Sequence, residues 1–235
     1  MDSLLSSYLS LRYESEEEQK YITGLVDQFE TAKTSGSYHL ALFAYHLLFM
    51  AFIYQIVFKI KTWMPDRFSD ALIQSPAEKR NQYIEATSAY AFVEIPERAV
   101  FELLNLLKEC ETVVSKCKKQ IVDYRNNNLG HANLFIVSEE EFENKVREYD
   151  QVAAEIHRLT HGELAKIFVA YFTSLDPELE QTKDDIEISL IGPNRLSDKD
   201  LESLAVECLI STDLKKKQVS KILQDDFGIY VEVVE

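Results

Sequence analysis

The sequence predicts a mainly α-helical bundle over residues 1–176, followed by a small α+β module of β-α-α-β order over residues 177–235. Three observations predict it. Six Gly and five Pro in 235 residues are too few for a turn-rich sandwich and suit long helices. Apolar residues make up 46% of the chain, enough for a sizeable core, and from residue 16 to 174 they recur largely with the helical period. After Pro177 the pattern changes to short alternating runs between polar turns.

Residues 16–33 read as an amphipathic helix, with Tyr21, Ile22, Leu25, Val26 and Phe29 on one stripe and a Glu-rich first turn that suits the helix dipole. Gly36 and Ser37 break and cap. Residues 38–61 form the most apolar segment, interrupted by His39, His46 and Gln55. It reads as a central buried helix; a membrane span is the alternative, since its length approaches that requirement. Pro65 and Pro76 punctuate a connection, and residues 78–92 suit a further helix. Pro96 fits the first turn of a helix extended to about residue 127, along which Val100, Leu103, Leu107, Val114, Cys117, Ile121 and Tyr124 keep the period. Ser138 before Glu139, Glu140 and Glu141 is a capping-box start for a helix reaching Ser174, with Gly162 its one soft spot. In the tail, residues 185–190 alternate like a strand and Gly192-Pro193-Asn194 turns. Helices follow at 198–210 and 213–224, and residues 229–234 read as a second strand.

A formal charge of −15 argues against a protein that coats nucleic acid through bulk charge. Most of the deficit lies in residues 138–207, which hold 18 acidic and 7 basic side chains. Residues 108–125 are slightly basic, with Lys108, Lys116, Lys118, Lys119 and Arg125 against Glu109, Glu111 and Asp123. Cys110, Cys117 and Cys208 are expected to be reduced: the first two stand seven apart on a helix, a rise of roughly 10 Å that no disulfide spans. Met1-Asp2-Ser3-Leu4 lacks the basic and apolar regions of a signal peptide, so a cytoplasmic protein is expected.

The chemistry concentrates in Asp123-Tyr124-Arg125-Asn126-Asn127-Asn128-Leu129-Gly130-His131. Arg125 offers a planar, permanently charged fork for phosphate oxygens, and His131 can release and regain a proton near neutral pH. Residues six apart on an undistorted helix lie about 240° round the axis, so the two converge only if the helix ends or bends. Three Asn and a Gly, poor helix formers, are placed to supply that break. Arg and His alone are a weak pattern; the Asn directly after the Arg carries much of the discrimination. The bland alternative is a helix stop, with Arg125 favouring the dipole and His131 bonded to a loop carbonyl.

Arg, a polar residue and then His, with five residues between Arg and His at the end of a long helix, resembles the HEPN superfamily. The resemblance covers roughly residues 15–175 and implies a helical bundle of HEPN type. It implies a homodimer whose two motifs face each other as one composite, metal-independent endoribonuclease site. Arg125 would grip the scissile phosphate, Asn126 would orient it or its neighbours, and His131 would shuttle the proton as the ribose 2′-oxygen attacks. Toxin, anti-phage or stress-response roles go with such proteins, as does a regulatory or antitoxin protein. Relatives paired with a nucleotidyltransferase antitoxin often carry Tyr two residues after the His; here Asn133 stands there. No cofactor or metal is expected. The rival reading is a non-catalytic HEPN-like interaction or scaffold protein that assembles through residues 38–61.

Other histidines read more plainly. His157 and His161 have the four-residue spacing of metal ligands but no third ligand in sequence, and suit a solvated face. His39 and His46 suit satisfied positions in a core or interface, Trp63 packing at the end of that helix, and Lys215, Lys216 and Lys217 a solvated face.

Overall fold

A computed structural model describes residues 4–73, 76–129, 137–176, 179–209 and 211–230. It contains two compact units, one of Met1–Ser6 with Tyr13–Thr160, the other of Ser7–Arg12 with His161–Glu235. Among the described residues the architecture is helical without strands; a lone bridge pairs Ser10 with Ser197.

In the first unit, α1 spans Glu16–Thr34, and its start is fixed by Ser15, whose hydroxyl accepts from the Glu18 amide at 3.3 Å. Gly36, at φ 73°, takes the left-handed conformation that lets the chain reverse into α2, Tyr38–Trp63. α2 packs against α1. It is long and apolar enough to cross a membrane by length and composition, yet 83% of its most apolar window is buried inside the fold. It is a core helix: Tyr45, Phe49, Phe52, Ile53 and Val57 are fully enclosed. Pro65 opens α3, Pro65–Ala71, where its missing N–H costs nothing. α4 covers Ala77–Glu85, and a 3₁₀ stretch at Ala89–Glu94 lies against α2.

The helix expected over residues 97–127 is interrupted. α5 ends at Leu103 (Glu97–Leu103), a 3₁₀ turn follows at Leu104–Leu106, and Leu107 is extended. Glu109 then adopts φ 60° before α6, Glu111–Lys116. No Gly or Pro marks this break. Leu103, Leu104, Leu107 and Cys110 are all buried across it, so the kink keeps the apolar stripe inward and periodicity alone does not reveal it. Beyond α6 the turns widen to i→i+5 bonding at Cys117–Val122 and again at Arg125–Leu129. Asn126–Asn128 do not stop the helical path, which runs through Leu129; Gly130, the other expected breaker, lies outside the described residues. α7, Glu139–Ser174, starts where expected, with the Glu141 amide donating to Ser138 Oγ at 3.2 Å, and continues through Gly162.

The second unit corrects the β-α-α-β expectation. Residues 183–191 are helical, α8 at Lys183–Ile186 running into wide turns at Glu187–Ile191. Thr182 and Asp185 form a reciprocal capping box that nucleates this helix. The alternation of Ile186, Ile188 and Leu190 was deceptive: Ile186, Leu190 and Ile191 are buried at i, i+4 and i+5, while Ile188 is 75% exposed. Gly192–Asn194 forms the short helix α9. Ser197 caps α10, Asp198–Leu209, through the buried Asp200 side chain, and Asp213 caps α11, Leu214–Phe227. Gly228, at φ 68°, ends α11. Ile229 and Tyr230 are not in a strand, and residues 231–234 of the second expected strand lie outside the described residues.

Lys216 is not merely solvated: its ammonium pairs with Glu207 at 2.6 Å and lies over the Phe172 ring, while Lys215 donates to the Leu175 carbonyl at 2.5 Å. All three cysteines are free, buried thiols.

Candidate functional site

Arg125 and Asn126 open the wide-turned stretch Arg125–Leu129 in the first unit, and both are half-buried. Asn128 donates from Nδ2 to the Tyr124 carbonyl at 3.1 Å, so this carboxamide supports the helical path rather than ending it. His131 lies outside the described residues, as do Gly130 and Asn133. The site is thus built here from its arginine side.

Arg125 forms part of the wall of a groove of about 670 Å³. α1 contributes Glu17, Glu18 and Tyr21, α2 contributes Met50 and Tyr54, and the stretch before α5 contributes Tyr90, Glu94 and Ile95. Glu97, the first residue of α5, completes the wall beside the arginine. Among the described residues lining it, four carboxylates face one guanidinium, that of Arg125, so this part of the groove repels a polyanion.

The guanidinium is not loose. Its Nη2 donates to Glu97 Oε1 in a short charge-assisted contact. The same oxygen lies 3.3 Å from His46 Nε2, and His46 Nδ1 lies 3.0 Å from the Tyr149 hydroxyl. One tautomer satisfies both ring nitrogens: Tyr149 O–H donates to Nδ1, and Nε2–H donates to Glu97. His46 is therefore the satisfied core histidine that its place in an apolar helix suggests. Burial pushes the Glu97 carboxyl up, but the hydrogen bonds from His46 and Arg125 outweigh it and hold the group below its ordinary range. Glu97 Oε2, by contrast, is buried without a hydrogen-bond partner among the described residues.

Sequence reading missed Glu97 and Tyr149. One signal was available: a histidine inside a continuous apolar run needs buried partners, and Glu97 directly after a helix-starting Pro is a defined place for one. Of the histidines expected on a solvated face, His161 is exposed as expected, while two other histidines depart from expectation. His39 is exposed rather than in a core, and His157 is buried on α7 rather than solvated, with its carbonyl accepting from Thr160 Oγ1 at 2.7 Å. Among the described residues, no group of three His, Cys, Asp or Glu side chains gathers as a metal site.

Tyrosines give the groove a testable property. Burial pushes Tyr54 up to about 12, with Glu97 adding to it, and pushes the nearby Tyr13 up to about 12 as well. Tyr90 is raised further by the same cause. A folded-state value above the unfolded one, about 10, contributes stability present below pH 10 and lost as pH rises through the folded values. Thermal midpoints should fall steeply between pH 10 and 12, with tyrosinate absorbance rising in step with unfolding. Tyr54 or Tyr90 ionising near pH 10 in the folded protein, read as the tyrosinate absorbance lost there in Tyr54→Phe and Tyr90→Phe, would contradict this.

No protein-family model, curated protein or solved structure matches the chain.

Proposed function

We propose that this protein is a metal-independent endoribonuclease of HEPN type, acting as a homodimer whose facing Arg125, Asn126 and His131 motifs cleave RNA by 2′-hydroxyl attack. The observation that carries the reading is the state of Arg125. Its side chain is 30% exposed, it lies in the wall of a groove, and an anionic partner fixes its guanidinium through one of its nitrogens. A guanidinium carries five N–H donors, so one bonded to a carboxylate retains others for a phosphate. The acidic groove and the net charge of −15 limit RNA engagement to this local contact. A protein partner, regulator or antitoxin then fits better than bulk charge as the agent that delivers or restrains the activity, in a toxin, anti-phage or stress-response setting.

The mechanism follows from the groups. His131 takes the proton from the ribose 2′-hydroxyl as that oxygen attacks the adjacent phosphorus, and returns a proton to the departing 5′-oxygen. Arg125 neutralises the charge that builds on the phosphoryl oxygens, and Asn126 orients it. The products are a 2′,3′-cyclic phosphate and a 5′-hydroxyl. Incubating the purified protein with single-stranded RNA and a chelator, and reading the fragment ends, tests this. Cyclic-phosphate ends without metal are expected; metal-dependent cleavage, 3′-hydroxyl ends or intact RNA would overturn it.

A scaffold that assembles through residues 38–61 has less support. Most of that apolar surface is enclosed within the first unit, leaving Leu40 and Phe43 as the large apolar residues exposed on α2.

A further inference from the structure

We propose that Glu97, itself oriented by His46 and Tyr149, is the positioning residue that fixes the Arg125 guanidinium for phosphate binding; this rests on the ribonuclease reading above. Four separate elements converge to make the arrangement: His46 on α2, Glu97 at the start of α5, Arg125 on the wide-turned stretch, and Tyr149 on α7. An ion pair alone needs only two of them. The additional Tyr149–His46 relay sets the rotation of the carboxylate, because a single imidazole tautomer joins both.

The energetics also favour positioning over simple support. A half-buried ion pair adds little net stability, because desolvation of the two charges offsets much of their attraction. This one leaves Glu97 Oε2 buried and unbonded among the described residues, a cost that optimised packing would remove. What the arrangement does supply is a fixed guanidinium. A free arginine loses rotamer freedom when ordered, and a pre-ordered one avoids that loss at the transition state. Glu97 is set by its own backbone as well, since it begins a helix directly after Pro96.

The test uses the full chain labelled with ¹⁵N-arginine and two readouts. In side-chain NMR, Arg125, assigned through Arg125→Lys, should give a distinct, protected guanidinium signal in the unaltered protein. Glu97→Ala should lose it and Glu97→Gln, which keeps an accepting oxygen, should retain it. In single-turnover RNA cleavage, Glu97→Ala should lower the rate at saturating RNA by about 100-fold, the scale of a misplaced catalytic group, with KM changed less than about threefold. Glu97→Gln should recover most of the rate, and His46→Gln should fall between the two. Circular dichroism checks folding; if Glu97→Ala does not fold, the Glu97→Gln and His46→Gln comparison decides. An unchanged Arg125 signal in folded Glu97→Ala overturns the positioning, as does a cleavage rate equal to that of the unaltered protein. If Glu97→Ala is unfolded, a His46→Gln rate equal to that of Glu97→Gln overturns it too. An unaltered protein that cleaves no RNA overturns the ribonuclease reading instead, while the NMR comparison still decides whether Glu97 positions Arg125.

Discussion

Phe49→Ala is expected to destabilise the protein by about 3–5 kcal/mol, the range for truncating an enclosed phenylalanine. Phe49 is fully buried on α2. Its ring meets the Tyr149 ring edge-on at 5.1 Å, Phe52 at 6.0 Å and Phe101 at 6.4 Å, tying α2 to α5 and α7 within the first unit. Each aromatic pair adds about 0.5–1.5 kcal/mol beyond buried area, and the cavity left by alanine cannot be filled by stiff neighbouring rings. Set against a total stability of about 5–15 kcal/mol, the loss is large, and the urea midpoint should drop accordingly. Phe43, on the preceding turns of the same helix, is exposed and serves as control: Phe43→Ala should change stability by less than about 0.5 kcal/mol. A small effect at Phe49 would mean that the aromatic centre is not where the first unit holds together.

Legibility in the sequence followed the kind of physics each feature depends on. Starts governed by local side-chain bonds could be read in part. Ser138 caps the helix read from it, whereas Ser37, read as a cap, makes no side-chain cap bond, and Ser15, which does cap α1, was not read. The helix α2 could be read, since its continuous apolar run has few homes other than a core or a membrane. Features decided by tertiary packing could not. Nothing local announces that Glu109 takes a positive φ, or that turns widen at Cys117–Val122 so that Cys117, Ile121 and Val122 all face inward. Residues 185–190 satisfy the strand period by composition, and only the Thr182–Asp185 capping box pointed the other way. At the candidate site, Arg125 and Asn126 were legible as a motif. Glu97, His46 and Tyr149 lie 28, 79 and 24 positions from Arg125 in the chain, so no short pattern contains them. Their link is made by folding.

Arg125→Ala and His131→Ala are each expected to lower RNA cleavage by about 10³-fold, within a range of about 10²–10⁴-fold, roughly 4 kcal/mol of transition-state stabilisation. For His131 the loss combines the general-base and general-acid steps, worth about 10²–10⁴-fold together. For Arg125 it is the loss of a fixed charge at the phosphoryl oxygens, about 10²–10³-fold, plus disordered binding of the substrate. Arg125→Lys keeps the charge but not the fork that bonds Glu97 and phosphate together, so it should restore little. Stability separates these effects from damage to the fold. Removing the Arg125 side chain leaves the half-buried, ionised Glu97 with the His46 bond but without its charged partner, and the lost charge-assisted bond costs about 1.5–3 kcal/mol. Adding Glu97→Gln to Arg125→Ala removes the orphaned charge, and the double variant should regain most of that stability while staying inactive. Cleavage that returned along with stability would make Arg125 a strut between helices rather than the residue that grips the phosphate.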